Sequence, residues 1–276
     1  MVNRLAWQRL PSDLPSFLRD PAAGDEIAYL GPEPDRWRSP AEPELSSAQA
    51  PEHYIDLEYA DLVGPLPRDR WQFVHELYQY GDKHPEMAAV MVPEKVGLQP
   101  WEATEVEQRL QAAFRTWREE RAEHRDTQPT EQAIAFYMGW LGHYVADASQ
   151  PLHTTLRYNG WVGPNPRGYA TDHGIHSQFE TDFVNNNVNE RQVAAFVTKP
   201  RVLPDVFTDY VAYLRESNRL VEKIYQLEKA GGFTGAGSAE SRRFVDQRLA
   251  AAVTMLDSMW LTAWINSGKP LPGNKK

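Results

Sequence analysis

Cysteine is absent from the 276 residues. That excludes disulfides and thiolate metal sites, so any metal must be held by nitrogen and oxygen. Long apolar runs are absent too: none approaches the roughly 18 residues that a membrane span requires. No basic stretch followed by an apolar one opens the chain, so no signal peptide is read in the sequence as given. Basic residues are outnumbered, with 29 Lys and Arg against 38 Asp and Glu and a net charge of −9. This balance argues against a cationic stripe that grips duplex nucleic acid by counterion release. Alternating strand patterns and internal repeats are also lacking.

What is there is helical periodicity. Val106, Leu110, Phe114, Trp117 and Arg121 recur in steps of three or four and predict an amphipathic helix over 102–123. Pro129 suits the first turn of a second helix, and Pro151 ends it near Gln150 by disfavouring helical geometry in the residue before it. Ile134, Met138, Leu141 and Val145 lie on one side of that helix, with Phe136, Tyr137, Trp140 and Tyr144 on the other. A helix apolar all round is a buried one. Gly139 and Gly142 leave room for a close neighbour. Residues 32–51, rich in Pro, Ser and Glu, predict a long extended coil. Residues 154–173 contain NGWVGPNPRGY, a Gly-, Pro- and Asn-rich loop, and a helix is predicted over 174–187. Two long helices, 204–229 and 238–266, are separated by GGFTGAG and predict a helical hairpin. Together these elements predict one all-α domain over 1–276.

Chemistry concentrates between Gln132 and Leu156, twenty-five residues without Lys or Arg that contain GHYVADASQPLH. His143 and Asp147 are four apart and share a helix face. His153 follows Pro151, and His176 and Glu180 repeat the four-residue spacing. A carboxylate inside an apolar helix needs a partner or must take up a proton. Any one of these residues alone reads as a satisfied core side chain. Three histidines and two carboxylates at these spacings read instead as ligands of divalent metal, for which imidazole and carboxylate suit zinc. His75, His84 and His124 sit among charged neighbours and read as surface residues. His173 ranks below His176, because only His176 places a carboxylate one turn on.

These residues resemble the superfamily of zinc-dependent phospholipases C and single-strand-specific nucleases, which also act as 3′-nucleotidases. Its signature, H-x-x-x-D-x-x-x-x-x-H with Pro-Leu before the last His, is matched by His143, Asp147 and His153, and a later H-x-x-x-(D/E) by His176 and Glu180. Upstream, PDRWR resembles A-D-x-x-R with Asp35 in the acidic position, and His53-Tyr54-Ile55-Asp56 resembles H-F-I-D. The HYID segment favours the nuclease branch. Glu180 stands where the fungal nucleases tend to have Asp and the phospholipases Glu.

The resemblance implies that Asp35, His53, His143 and Asp147 hold one zinc and that His153, His176 and Glu180 hold another. Asp147 and Asp56 would be the catalytic carboxylates, Asp56 orienting the attacking water. The implied reaction is hydrolysis of phosphodiesters in single-stranded nucleic acid, or of 3′-nucleotide monoesters, by a water activated between two zincs. Three carboxylates against two divalent ions leave the site positive, which suits a phosphate in an otherwise acidic protein. Tyr158, Asn159 and Trp161 are the candidate substrate-binding residues, the aromatics offering a base about 1–3 kcal/mol of stacking. A phospholipase C or phosphatase on the same zinc cluster is the alternative, and a non-catalytic metal-stabilised helical module a further one. Family members begin with Trp and Gly-His, which hold a third zinc with the shared Asp. Here Met1 to Trp7 resembles the first helix joined part-way, so the third site lacks those ligands. The expectation is that the true chain starts upstream of Met1, and a secreted or periplasmic protein is implied.

Overall fold

The computed structural model describes residues 1–270. Among them every regular element is helical and none is a strand, as the periodicity predicts. The helices that build the core are α1 (Val2–Gln8), α2 (Pro21–Tyr29), α3 (Gln99–Ala122), α4 (Gln128–Ser149), α5 (Val206–Asn218), α6 (Val221–Lys229) and α7 (Ala239–Ser267). Among the described residues no helix is long and apolar enough to cross a membrane.

The apolar helix α4 is the axis of the molecule, packed by α1, α2, α3, α5 and α7. Ile134, Met138, Leu141, Tyr144 and Val145 are buried on its different faces. Its glycines admit the N-terminal helices. A Cβ on Gly139 would stand 2.5 Å from Leu30 Cβ, and one on Gly142 would stand 1.8 Å from Asn3 Oδ1. Asn3 uses that gap to donate from Nδ2 to the carbonyls of Ile27 and Gly139, both at 2.9 Å. This buried amide therefore fastens α1 to α2 and α4 at once.

Three expectations need correction. Residues 32–51 are not one long extended coil. They contain short helices at Glu33–Arg36 and Pro43–Gln49 and a 3-10 turn at Ala50–His53. Pro34, Pro43 and Pro51 stand in the first turns, where the missing N–H costs nothing and the fixed φ helps. The predicted helix over 204–229 is two helices, α5 and α6, joined at Arg219 and Leu220. Tertiary bonds explain the break: Ser217 Oγ donates to Ala148 O at 2.5 Å and Asn218 Nδ2 to Thr154 O at 2.8 Å. These draw the end of α5 onto the turn that follows α4. The hairpin is tight only near its loop, where α6 and α7 bury Ile224, Tyr225, Phe244 and Val245 in one cluster.

Farther along α7, Thr254, Ser258 and Thr262 form a row of hydroxyls one turn apart. They accept hydrogen bonds from the backbone N–H groups of Thr198 (3.1 Å), Arg201 (3.2 Å) and Leu203 (2.9 Å). The segment before α5 is thereby tied to α7 without regular structure. The predicted helix over 174–187 contains a π-helical stretch, Gln178–Phe183, which carries Glu180. Such bulges recur at functional sites.

Candidate metal centre

Four segments distant in sequence meet beside the C-terminal end of α4. His143 and Asp147 come from its last turns. His153 comes from the 3-10 turn Pro151–Thr154, begun by Gln150, whose side chain accepts from Leu152 N at 2.6 Å. His53 ends the turn Ala50–His53, Asp35 sits on the short helix Glu33–Arg36, and His176 and Glu180 approach from the helix beyond the loop.

These residues form two groups, each with ligand atoms within 4.8 Å of one another: Asp35, His53 and His143, and His153, His176 and Glu180. In the first, His143 Nε2 is 2.9 Å from His53 Nδ1, and Asp35 Oδ1 is 3.8 Å from both. Asp147 Oδ2 lies 3.1 Å from His53 Nδ1, 3.3 Å from His143 Nε2 and 3.8 Å from His153 Nδ1, so it stands between the groups. In the second, Glu180 Oε2 is 3.1 Å from His153 Nε2 and 3.0 Å from His176 Nε2. Ligand atoms around one tetrahedral ion at roughly 2.0–2.1 Å are about 3.3 Å apart. The spacings of 2.9 to 3.3 Å match that edge. Asp35 is wider, and its side chain is 58% exposed at the rim.

The outer nitrogens give a second test of fit. His143 Nδ1 pairs with Gly31 O at 2.9 Å, His153 Nδ1 with His53 O at 2.8 Å, and His176 Nδ1 with Tyr158 O at 3.2 Å. A carbonyl can only accept, so each Nδ1 carries the hydrogen and each Nε2 is directed to its group as a lone pair or as part of a cation. This backbone hold is the usual support of a metal-ligating histidine. His53 differs: its Nδ1 faces the group, and its buried Nε2 has no hydrogen-bond partner. A single Nδ1 hydrogen would have to serve both His143 and Asp147. One cation would satisfy all three lone pairs.

Without a cation the same groups form a charge network. Burial pushes Asp147 up, but His143 and His153 hold it well below the usual carboxylate range. Burial pushes His153 down, yet Asp147 and Glu180 bring it up to about 10. Glu180 is held low against burial, chiefly by His153. His143 is raised, because Asp147 outweighs burial, whereas His53 is lowered by burial.

The groups open onto a cleft of about 580 Å³ whose walls include His53, His153 and His176. Asp56, Arg38, Lys95, Tyr158 and Asn159 line it as well. The Asp56 carboxyl is pushed up to about 8 by burial, with Glu58 acting in the same sense. Tyr158 is exposed at the mouth. Asn159 is occupied with its own loop, Oδ1 accepting from His176 N at 3.3 Å. Trp161 turns to the base of the loop, packing on Tyr169 and Tyr225 at centroid distances of 4.8 and 5.2 Å. It serves as an anchor there, its Nε1 donating to Pro164 O at 3.0 Å. His75, His124 and His173 are exposed and His84 is half-exposed, and none joins either group.

Two features beneath the site carry no local sequence signal. Arg70 bridges the buried side chains of Glu52 and Glu102 at 3.1 and 2.9 Å, and Glu52 is the residue before His53. Gln99, fully buried at the start of α3, donates to the carbonyls of His53 and Tyr144. Comparison with protein-family models, with curated proteins and with solved structures finds no match.

Proposed function

We propose that the two groups hold divalent cations, zinc foremost, and that the chain is a metal-dependent phosphoesterase. Its substrate in this reading is single-stranded nucleic acid or a 3′-nucleotide. The observation that carries the reading is the pair of His–carboxylate groups, joined by Asp147 and opening on one cleft with Arg38 and Lys95. When bound, the cations supply Lewis-acid charge that activates water and neutralises phosphoryl oxygens. The chain's residues do the rest. Asp147 keeps its charge although buried and holds the two groups in register. Asp56 faces the cleft as the residue that exchanges a proton with the attacking water or the leaving oxygen. Arg38 and Lys95 attract the phosphate, and the exposed ring of Tyr158 offers a base a stacking surface. A phospholipase C is the second reading, favoured by Val90, Leu152, Leu156 and Val162 on the same walls.

The test is to load the protein with zinc and assay single-stranded DNA, RNA, a 3′-nucleotide and phosphatidylcholine in parallel. Nucleotide turnover that EDTA abolishes is expected, with Asp147→Asn losing both activity and zinc while keeping its helicity. Melting and turnover that are indifferent to EDTA would refute the metal reading. Turnover of phosphatidylcholine alone would select the second.

A further inference from the structure

The backbone of residues 53–56 is clamped on both sides by elements far away in sequence. On one side Asp56 N donates to Val96 O at 2.7 Å and Gln99 N to Tyr54 O at 3.3 Å. Gly97, in the left-handed region at φ 90°, lets the chains touch, since a Cβ there would be 2.1 Å from Tyr54 O. On the other side Ile55 N donates to His153 O at 2.9 Å, and His153 Nδ1 pairs with His53 O at 2.8 Å. The carbonyl of His53 is the meeting point. It takes the ring hydrogen of His153, a residue of the second group, while the ring of His53 itself belongs to the first.

Gln99 holds this carbonyl from behind. Its Nε2 donates to His53 O and to Tyr144 O, both at 3.2 Å, and Tyr144 follows His143 on α4. One fully buried amide thus reaches the carbonyl of His53, the carbonyl of the residue after His143 and, through the shared oxygen, the ring of His153. The amide is not placed for stability alone. Its Oε1 is buried without a hydrogen-bond partner, an arrangement that an apolar side chain of equal length would avoid. Functional sites are where such local costs are retained.

We infer that Gln99 is a positioning residue that couples the two candidate metal centres through the carbonyl of His53. The inference rests on the metal reading above. A cation in the first group fixes His53, whose carbonyl then fixes the ring of His153, so the second cation meets a preformed ligand. Coupling of this kind is reciprocal, so either cation should tighten the other.

The experiment uses the full chain, stripped with a chelator and titrated with zinc against a chromophoric competitor. Gln99→Met keeps the length of the side chain and removes its donors, and Gln99→Leu serves if that variant does not fold. The wild type is expected to bind two zincs cooperatively. The variant should bind them independently and about ten-fold more weakly, the scale of outer-shell losses. Its metal-free melting temperature should be equal or higher, because the orphaned Oε1 is gone. An unchanged zinc isotherm in the variant would overturn the inference. So would a metal-free melting temperature that falls as far as the zinc-loaded one, which marks a merely structural residue. A wild type that takes up no zinc would refute the metal reading itself, and the two failures are separated by the protein in which they occur.

Discussion

Asp257 lies wholly buried on α7, with no hydrogen-bond partner for either carboxylate oxygen. Burial pushes its carboxyl up to about 8 from 3.8, with Arg9 opposing. Asp257→Asn keeps the shape and removes the ionisation. A carboxyl that keeps its proton in the folded protein makes the native state bind more protons than the unfolded chain between pH 3.8 and about 8. Stability therefore falls as pH rises through that window and levels above it. At about 1.4 kcal/mol per unit, the loss for this one group between about pH 5 and pH 8 is about 4 kcal/mol. Glu52 and Glu107 are also raised to about 8, so the wild type should decline more steeply than Asp257 alone requires. The difference between wild type and variant isolates the single group. In urea unfolding across that range, Asp257→Asn should gain on the wild type by about 4 kcal/mol. Parallel curves would refute the reasoning, because they would mean that Asp257 ionises in place without penalty.

Gly142→Ala should destabilise by about 2 kcal/mol, despite the helix propensity gained, since the new methyl must expel the Asn3 amide. Thermal melting checks it, and an unchanged or higher Tm would sink the packing argument. Zinc titrated at neutral pH should release protons, because His153, raised to about 10, must give up its charge to act as a ligand. Calorimetry in buffers of different ionisation enthalpy measures the number, and a count of zero contradicts the assignment. Tyr158→Ala should raise KM for a nucleotide and leave the melting temperature in place, whereas Trp161→Ala should lower the melting temperature by loosening the loop. Equal effects on both quantities in both variants would erase the distinction.

Much of this architecture was legible in residue spacing. Helix α4 declared itself by apolar residues on every face, and its two glycines announced close neighbours, which Asn3 and Leu30 turn out to be. The ligand spacings were legible for the same reason: a four-residue step on a helix fixes a direction, so His143 with Asp147 and His176 with Glu180 meet as a helix requires. The prolines of 32–51 misled because proline both breaks a helix and begins one, and only its neighbours decide which. The break between α5 and α6 had no local cause, since it is imposed by bonds to Ala148 and Thr154. Gln99 was invisible for a related reason. A lone glutamine gains meaning only from two carbonyls, one 46 residues before it and one 45 after.

The clamp around residues 53–56 also has a kinetic meaning. The bond from the ring of His153 to His53 O spans 100 residues, and that from His53 to Asp147 spans 94. Contacts closing such long loops are gained late, after the local helices and their first packing. Interactions absent from the folding transition state leave the folding rate nearly untouched and act on the rate of opening. A cation seated between these segments would therefore act as a latch that lengthens the lifetime of the folded state, while hardly hastening its formation.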